Sequence, residues 1–314
     1  MRGIVPEGTG IITRVHLIVP FASPLSDAGR AALAQLQTPA MDAWLDRSEE
    51  VQRDEDDEQS PAPPHERAFA RALGWSDGTA PWAARRAAAD GIEVGAQPWG
   101  LLTPAHWRVG SDAIHLADPR ALALDELTSR TLLDAVRPLF ESEGFVLAWG
   151  APLRWYASHP MFANLPTASL DRVIGRNVDR WLPGQREARL VRRLQNEVQM
   201  LLHTHAVNEA REAAGLVPVN SFWLSGCGAA RPEAAHDAVL DERLAQPALA
   251  EDWAAWAAAW AELDASLAAR PPSALTLCGE RCALTLAPRA PSLLQRLTRP
   301  FQAPRPARER LATL

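Results

Sequence analysis

Short apolar runs and longer helical stripes divide this sequence into predicted strands and helices. The first run, Ile11–Val19, is rich in β-branched residues and is followed by Pro20, which is typical of a buried strand and its end. Two alternating runs on either side of Gly279–Arg281 predict a hairpin. The strands predicted after the first cover residues 113–116, 145–149, 154–156, 219–224, 275–278 and 282–286.

Apolar residues that recur every three or four positions predict the helices. The longest is expected over 184–214, with Val191, Leu194 and Val198 on one stripe and Gly215 as a stop signal. The other predicted helices begin near Asp27 or cover 65–89 (interrupted by glycine and proline), 125–140 and 249–269. Strands alternating with helices indicate an α/β fold.

Two stretches lack the apolar content of a packed core. Residues 46–64 are dense in carboxylates and then in prolines, so we predict a disordered acidic insertion. Residues 292–314 carry arginines and prolines and predict a basic, frayed tail. The chain as a whole, 1–314, is predicted to form a single α/β domain. Its mixed, largely parallel sheet would be flanked by helices, with the first strand and strand 219–224 central and the C-terminal hairpin at one edge.

Composition narrows the classes of function. The formal net charge of −6 over 314 residues argues against a dedicated nucleic-acid binder, which needs a concentrated basic surface. All 32 Lys and Arg positions are arginine, so Schiff-base chemistry and a P-loop lysine are excluded. Three cysteines are too few for a disulfide framework, and the sequence has no transmembrane run or signal pattern, so we expect a cytoplasmic protein.

The candidate site lies where the predicted strand 219–224 runs into two glycines. Small polar residues around the end of an apolar strand are typical of a binding crevice. The segment Gln97–Trp107 is predicted to be an aromatic loop and adds two candidates. The predicted ligand-binding residues are Asn220, Ser221, Trp223, Ser225, Gly226, Gly228, His106 and Trp107.

Residue patterns for metal or nucleophilic chemistry are weak. His203 and His205 are two positions apart, which places them about 200° apart around a helix, so both cannot bind one ion. Cys227 would be an activated thiol if its neighbouring glycines placed it at a helix N-terminus; a small residue filling a tight turn explains it equally well. We therefore predict neither a metal site nor a cofactor.

One family resemblance emerges from the longest predicted helix and the strand after it. The RpfE-type regulatory proteins of proteobacteria, a family also described as similar to phosphoglycerate mutases, resemble this chain over residues 189–205, at Asn208, Arg211 and Gly215, and over 218–226. Thr103–Trp107 and Leu116–Pro119 fit the same resemblance. It covers most of the chain apart from the acidic stretch and the tail.

The resemblance implies kinship with the alkaline-phosphatase-like, cofactor-independent phosphoglycerate mutases. Those enzymes use two divalent metals and a Ser or Thr nucleophile that forms a phosphoenzyme. The metal ligands of those enzymes include an Asp at the end of the first strand and a later Asp-His pair. Here Val19–Ser23 contains no carboxylate, and His236-Asp237 has the reverse order. The sequence therefore predicts a related fold that lacks the metal site and the nucleophile.

The expected function is that of an RpfE-like regulatory or ligand-binding protein. An active phosphoglycerate mutase or related phosphotransferase is the first alternative, and whether the chain is an enzyme stays open. A scaffold acting through the tryptophan-rich helix 249–269 and the arginine tail is the second. The expected ligand is small and phosphorylated or acidic, and a protein partner is the other expectation; neither nucleic acid nor membrane is an expected partner.

Overall fold

The computed structural model describes residues 15–75, 79–186, 188–289 and 306–314. These residues divide into two compact units. One unit combines the segments up to Asp56 and from Ala235 onward, and the other comprises Asp57–Ala234. Each unit has its own sheet, and the single domain expected from the sequence stays a prediction.

The secondary structure alternates strands and helices, as the α/β prediction requires. The strands are β1 His16–Ser23, β2 Ser48–Glu55, β3 Pro98–Ala105, β4 Trp107–Val109, β5 Ile114–Leu116, β6 Val146–Ala151, β7 Arg154–Ser158, β8 Ser221–Ala229, β9 Ala238–Leu240, β10 Ala274–Gly279 and β11 Cys282–Pro288. The α-helices are α1 Asp27–Gln35, α2 Pro39–Asp46, α3 Pro64–Ala72, α4 Trp82–Ala89, α5 Glu126–Glu141, α6 Ala188–His203, α7 Ala206–Ala213, α8 Ala245–Leu249, α9 Trp253–Ala269 and α10 Ala307–Leu311. Short 3-10 helices lie at Pro119–Leu122, Pro160–Asn164, Leu170–Arg172, Val178–Arg180 and Glu242–Leu244.

The first unit contains a mixed, largely parallel sheet with the strand order β2-β11-β10-β1-β9. Strand β1 runs parallel to β10 and β9, and β11 runs antiparallel to both β10 and β2, so β11 alone opposes the other strands. Trp256 and Trp260 of α9 pack in one core with Leu275 and Leu277 of β10. The predicted fold class and the predicted C-terminal hairpin are confirmed.

The acidic stretch 46–64, which was predicted to be disordered, contains a strand. Residues 48–55 form β2, the edge strand that pairs with β11, so the hairpin does not lie at the edge. An edge strand forms backbone hydrogen bonds with a neighbouring strand on one side only. Charged side chains that point into solvent protect its other side from pairing with other chains. The high charge of residues 48–55 therefore keeps most of their side chains out of the core, but it is compatible with an edge strand.

The prediction of a frayed C-terminal tail is wrong for residues 306–314, the part of the tail that the structure describes. Residues 292–305 lie outside the described residues. Ala307, Leu311 and Leu314 are buried in the core of the first unit, where α10 was predicted to be a frayed end. The helix packs because its small and apolar residues lie three or four positions apart.

The second unit contains an antiparallel sheet with the strand order β6-β7-β3-β8. Every residue of β3 is buried, although 97–107 was predicted to be a loop. Its two prolines and glycine look like breakers, but a strand buried on both faces also lacks the polar alternation that marks a half-exposed one. The predicted strand 219–224 is β8; it lies at the edge of this sheet and not in the parallel sheet.

The predicted helix 184–214 is two helices, α6 and α7. The chain leaves the helix before His205, whose ring Nδ1 accepts the backbone N–H of Val207 at 3.3 Å and so caps α7. Leu194 and Val198 of α6 pack in one core with Phe222 of β8, as the predicted stripe requires. Among the described residues, no helix combines the length and apolar character needed to cross a membrane.

Candidate functional site

Several predicted site residues hold the start of β8 against the end of β3. The side chain of Asn220 accepts the Trp107 N–H at 2.7 Å and donates to the Trp107 carbonyl at 2.9 Å. His106 donates from Nδ1 to the Pro218 carbonyl at 2.9 Å. These bonds bring the predicted aromatic segment and the predicted crevice together. They also occupy the amide of Asn220 with backbone groups.

The next predicted residues point into the protein core. Ser221 and Trp223 are almost fully buried, and the Trp223 indole donates to the Ala168 carbonyl at 3.0 Å. Ser225 is also buried, and β8 pairs there with Leu101 of β3. All three side chains are therefore buried within the second unit, and their role in binding stays a prediction.

Gly226 and Gly228 allow close approach between β8 and the start of α4. Gly226 has a φ of +63°, and a Cβ atom there would lie 2.9 Å from the Ala83 nitrogen and from the Trp82 Cβ. At Gly228 a Cβ would lie 2.9 Å from the Pro81 Cβ. The two glycines are required because the backbone of β8 touches the first turn of α4.

Replacing Gly226 with alanine is expected to lower the free energy of unfolding by about 3 kcal/mol, because the substitution adds a steric clash to an unfavourable φ. Gly215→Ala is the matched control: its φ is +72°, but nothing lies within 4 Å of the added Cβ. We expect the control to cost about 1 kcal/mol. Urea unfolding of both variants measures the difference, and equal losses would contradict the packing argument.

An open pocket of about 340 Å³ lies beside these glycines, and we call it the α3 pocket. It belongs entirely to the second unit. Its walls come from α3, the segments flanking α3 and α4, residues 166–169 and β8. The lining residues are Ser60, Pro61, Ala62, Glu66, Arg67, Ala70, Arg71, Trp75, Thr79, Ala80, Trp82, Pro166, Thr167, Ser169, Gly226 and Cys227.

The α3 pocket combines an aromatic wall with charged groups from one helix. Trp75 and Trp82 lie side by side with their ring centroids 5.3 Å apart. Arg67 and Arg71 are one helical turn apart on α3 and both line the cavity. The Arg67 guanidinium donates to the Ala62 carbonyl at 2.7 Å. Mostly apolar walls with a few converging polar groups are typical of small-molecule sites.

Two carboxyl groups beside the pocket have pKa values shifted in opposite directions. Burial raises the pKa of Glu66, and the nearby His65 and a hydrogen bond from Ser169 offset only part of that effect. Burial alone would also raise the pKa of Asp171, but the hydrogen bond and attraction of His65 hold it below its usual range. The His65 Nε2 atom lies 3.2 Å from Asp171 Oδ2. Neighbouring carboxyl groups whose pKa values are shifted in opposite directions are common at functional sites.

Cys227 is an inert thiol. It lies in β8 and not at a helix N-terminus, and burial raises its pKa far above that of a free thiol. The thiolate form that acts as a nucleophile is therefore suppressed. Within the described part of the chain, no group of three or more His, Cys, Asp or Glu side chains is arranged to hold a metal ion.

Of the predicted site residues, Gly226 alone lines the α3 pocket. The prediction missed Glu66, Arg67 and Arg71, which lie in the part of the sequence treated as an interrupted helix. The sequence feature that could have indicated them is the pair Arg67 and Arg71, four residues apart and followed by Trp75. The predicted site of Asn220 to Gly228 stays a prediction.

Comparisons with known proteins give similarities at the level of the fold. No protein-family model matches the sequence, and the comparison with curated proteins found no match either. Among solved structures, the chain is similar to a cofactor-independent phosphoglycerate mutase from Thermoplasma acidophilum, with 13% identity, a TM-score of 0.37 and coverage of 90% of this chain and 91% of that one. It is also similar to a protein from Pyrococcus horikoshii, with 12% identity, a TM-score of 0.43 and 88% coverage of each chain. These values indicate nothing about activity, and the RpfE-type resemblance stays a prediction.

Proposed function

We propose that this chain is a regulatory, ligand-binding protein that acts in the cytoplasm and binds a small phosphorylated or acidic ligand in the α3 pocket. The observation that carries the proposal is the pairing of Arg67 and Arg71 with the aromatic wall of Trp75 and Trp82 in one open cavity. The regulatory part of the proposal is supported by the RpfE-type sequence resemblance.

The charge of the pocket favours an anion. Arginine presents a planar set of N–H donors that matches carboxylate and phosphate oxygens. The indole faces of Trp75 and Trp82 provide apolar surface for the carbon skeleton of the same ligand. Glu66 is the carboxyl group among the lining residues, and burial raises its pKa.

Binding is favoured over catalysis by the state of two nucleophile candidates, Cys227 and Ser225. The Cys227 thiol is held protonated by burial. Ser225 is buried in β8 and is not among the residues that line the pocket. The phosphotransferase alternative therefore has no specific observation in its favour.

The proposal is tested by thermal unfolding of the full chain with 3-phosphoglycerate, inorganic phosphate or sulfate. A ligand at about 100 times its Kd stabilises the native state by about 2.7 kcal/mol. For a protein of this size we expect the melting temperature to rise by about 5 °C. Arg71→Gln is expected to reduce the rise strongly because it removes one guanidinium from the pocket wall.

Arg108→Gln is the matched control, since Arg108 is exposed in β4 and does not line the pocket. It should keep the wild-type response. If none of the three anions stabilises the wild type, or if both variants respond equally, the proposed function is wrong.

A further inference from the structure

We propose that a basic surface of the second unit, which we call the α6 groove, docks an acidic segment of a partner protein. The groove is an open depression of about 650 Å³. It is lined by Glu143, His159, Met161, Arg186, Arg189, Leu190 and Arg193. All of these residues belong to the second unit, and none of them lines the α3 pocket, so the inference goes beyond the proposed function.

The α6 groove carries an excess of positive charge. Its three arginines and one glutamate give it a formal charge of +2 when His159 is neutral. Arg193 forms an ion pair with Glu143, which offsets that carboxylate. Arg186 and Arg189 are exposed, and neither forms an ion pair within the part of the chain that the structure describes. The guanidinium groups of these two residues are therefore available to the carboxylates of a partner.

The rest of the groove surface is neutral and partly apolar. The Nδ1 atom of His159 accepts the Met161 N–H at 3.1 Å, and the ring stacks on Phe145 with the ring centroids 4.2 Å apart. Burial lowers the pKa of His159, and Glu143 offsets only part of that effect, so the ring is uncharged at neutral pH. Met161 and Leu190 are partly buried and pack against the core of the second unit. They provide apolar surface beside the arginines.

The position of Arg189 adds an electrostatic reason for binding an anionic partner. Arg189 lies in the first turn of α6, which contains no acidic residue. The partial positive charge at the start of a helix favours anions and disfavours cations. The unbound protein therefore gains nothing from the charge of Arg189, whereas a carboxylate that pairs with Arg189 also interacts favourably with the start of α6.

These features favour an acidic polypeptide over a small anion or a nucleic acid. A single exposed ion pair contributes little affinity, so a small anion would be held weakly in an open groove. A polypeptide can place several carboxylates among the arginines, as arginine clusters that recognise acidic motifs do, and bury an apolar side chain on Met161 and Leu190. A nucleic acid would extend beyond the groove on a protein whose formal net charge is −6. The partner segment therefore has acidic residues on both sides of an apolar one.

The test is fluorescence anisotropy of the full chain with a labelled peptide in which glutamates flank two leucines. We expect saturable binding that weakens as the salt concentration rises, because exposed charges are screened. The same peptide with glutamine in place of every glutamate should bind about tenfold more weakly or worse. Replacing both leucines with serine should also weaken binding, because the apolar contact is lost.

Arg189→Glu is expected to weaken binding of the acidic peptide about tenfold. The variant should fold, since Arg189 is exposed and a carboxylate in the first turn of a helix is favourable, so its melting temperature should not fall below that of the wild type. Arg108→Glu is the matched control: Arg108 is exposed in β4 and does not line the groove, and its reversal changes the net charge by the same amount. The control should keep the wild-type affinity.

Four results would overturn the docking surface. The first is an absence of saturable binding of the acidic peptide to the wild type. The second is an equal loss of affinity in Arg189→Glu and Arg108→Glu, which would mean that net charge alone governs binding. The third is unchanged affinity of the serine-substituted peptide. The fourth is tighter binding of a single-stranded oligonucleotide of the same charge, which would identify the groove as a nucleic-acid surface instead.

Discussion

Replacing Asp90 with alanine is expected to destabilise the protein by about 3 kcal/mol. Asp90 follows α4 and accepts two hydrogen bonds of 2.8 Å from the guanidinium of Arg154 in β7. It also accepts the Tyr156 hydroxyl at 2.6 Å. Tyr156 is fully buried, so its hydroxyl would lose a partner that water cannot readily replace. The carboxylate therefore fixes the end of α4 to the sheet of the second unit.

The effect of Asp90→Ala should depend on pH. The hydrogen bonds from Arg154, and then that from Tyr156, hold the pKa of Asp90 below its usual range. A lowered native pKa contributes stability above the unfolded-state pKa, and this contribution is lost as the pH falls through the native value. The wild type and the variant should therefore converge in stability under acidic conditions.

Urea unfolding followed by tryptophan fluorescence measures the loss at neutral pH and again in acid. Asp112→Ala is the control, since Asp112 is an exposed residue of the same unit, and it should change stability by less than about 0.5 kcal/mol. A neutral-pH loss no larger than that of the control would contradict the role assigned to Asp90.

Asn208→Ala is expected to cost a similar amount, about 3 kcal/mol. The buried amide of Asn208 donates to the Leu202 carbonyl at 2.8 Å and to the Val219 carbonyl at 2.7 Å. It also accepts the Val219 N–H at 2.9 Å. The variant would leave three backbone groups without these partners, where α6 ends and the chain enters β8.

Asn196→Ala is the control for Asn208→Ala. Asn196 is an exposed residue of α6, and alanine has the higher helix propensity, so stability should stay constant or rise slightly. Urea unfolding of both variants provides the comparison. If Asn208→Ala were as stable as the control, the three hydrogen bonds would not hold β8 in place.

Much of the fold follows from local pattern. The strands around Gly279–Arg281 alternate cleanly, and the register of β10 and β11 pairs Leu275 with Leu286 and Leu277 with Leu284. The helix after Asp125 has an N-cap signal, and the Asp125 side chain accepts the Thr128 N–H at 2.7 Å. These features depend on neighbours in sequence, so single-sequence reasoning can find them.

The α3 pocket depends on contacts that local pattern does not encode. Gly226 signals a close approach, but the sequence does not show that the approaching segment is Trp82–Ala83, more than a hundred residues earlier. The same holds for β3, which is recognisable as a strand only when its partners β7 and β8 are known. The sequence therefore indicates one lining residue on the strand side of the pocket, Gly226, and none of those on α3.

The central claim is that an anion binds between Arg71 and the aromatic wall. Its most direct test is NMR titration of the full chain with 3-phosphoglycerate or sulfate, in which the indole N–H signals are assigned with Trp→Phe variants. The signals of Trp75 and Trp82 should shift with one common Kd, while that of Trp256, which lies in the other unit, should stay fixed. Saturable shifts at other tryptophans with Trp75 and Trp82 unchanged would contradict the assignment of the α3 pocket as the binding site.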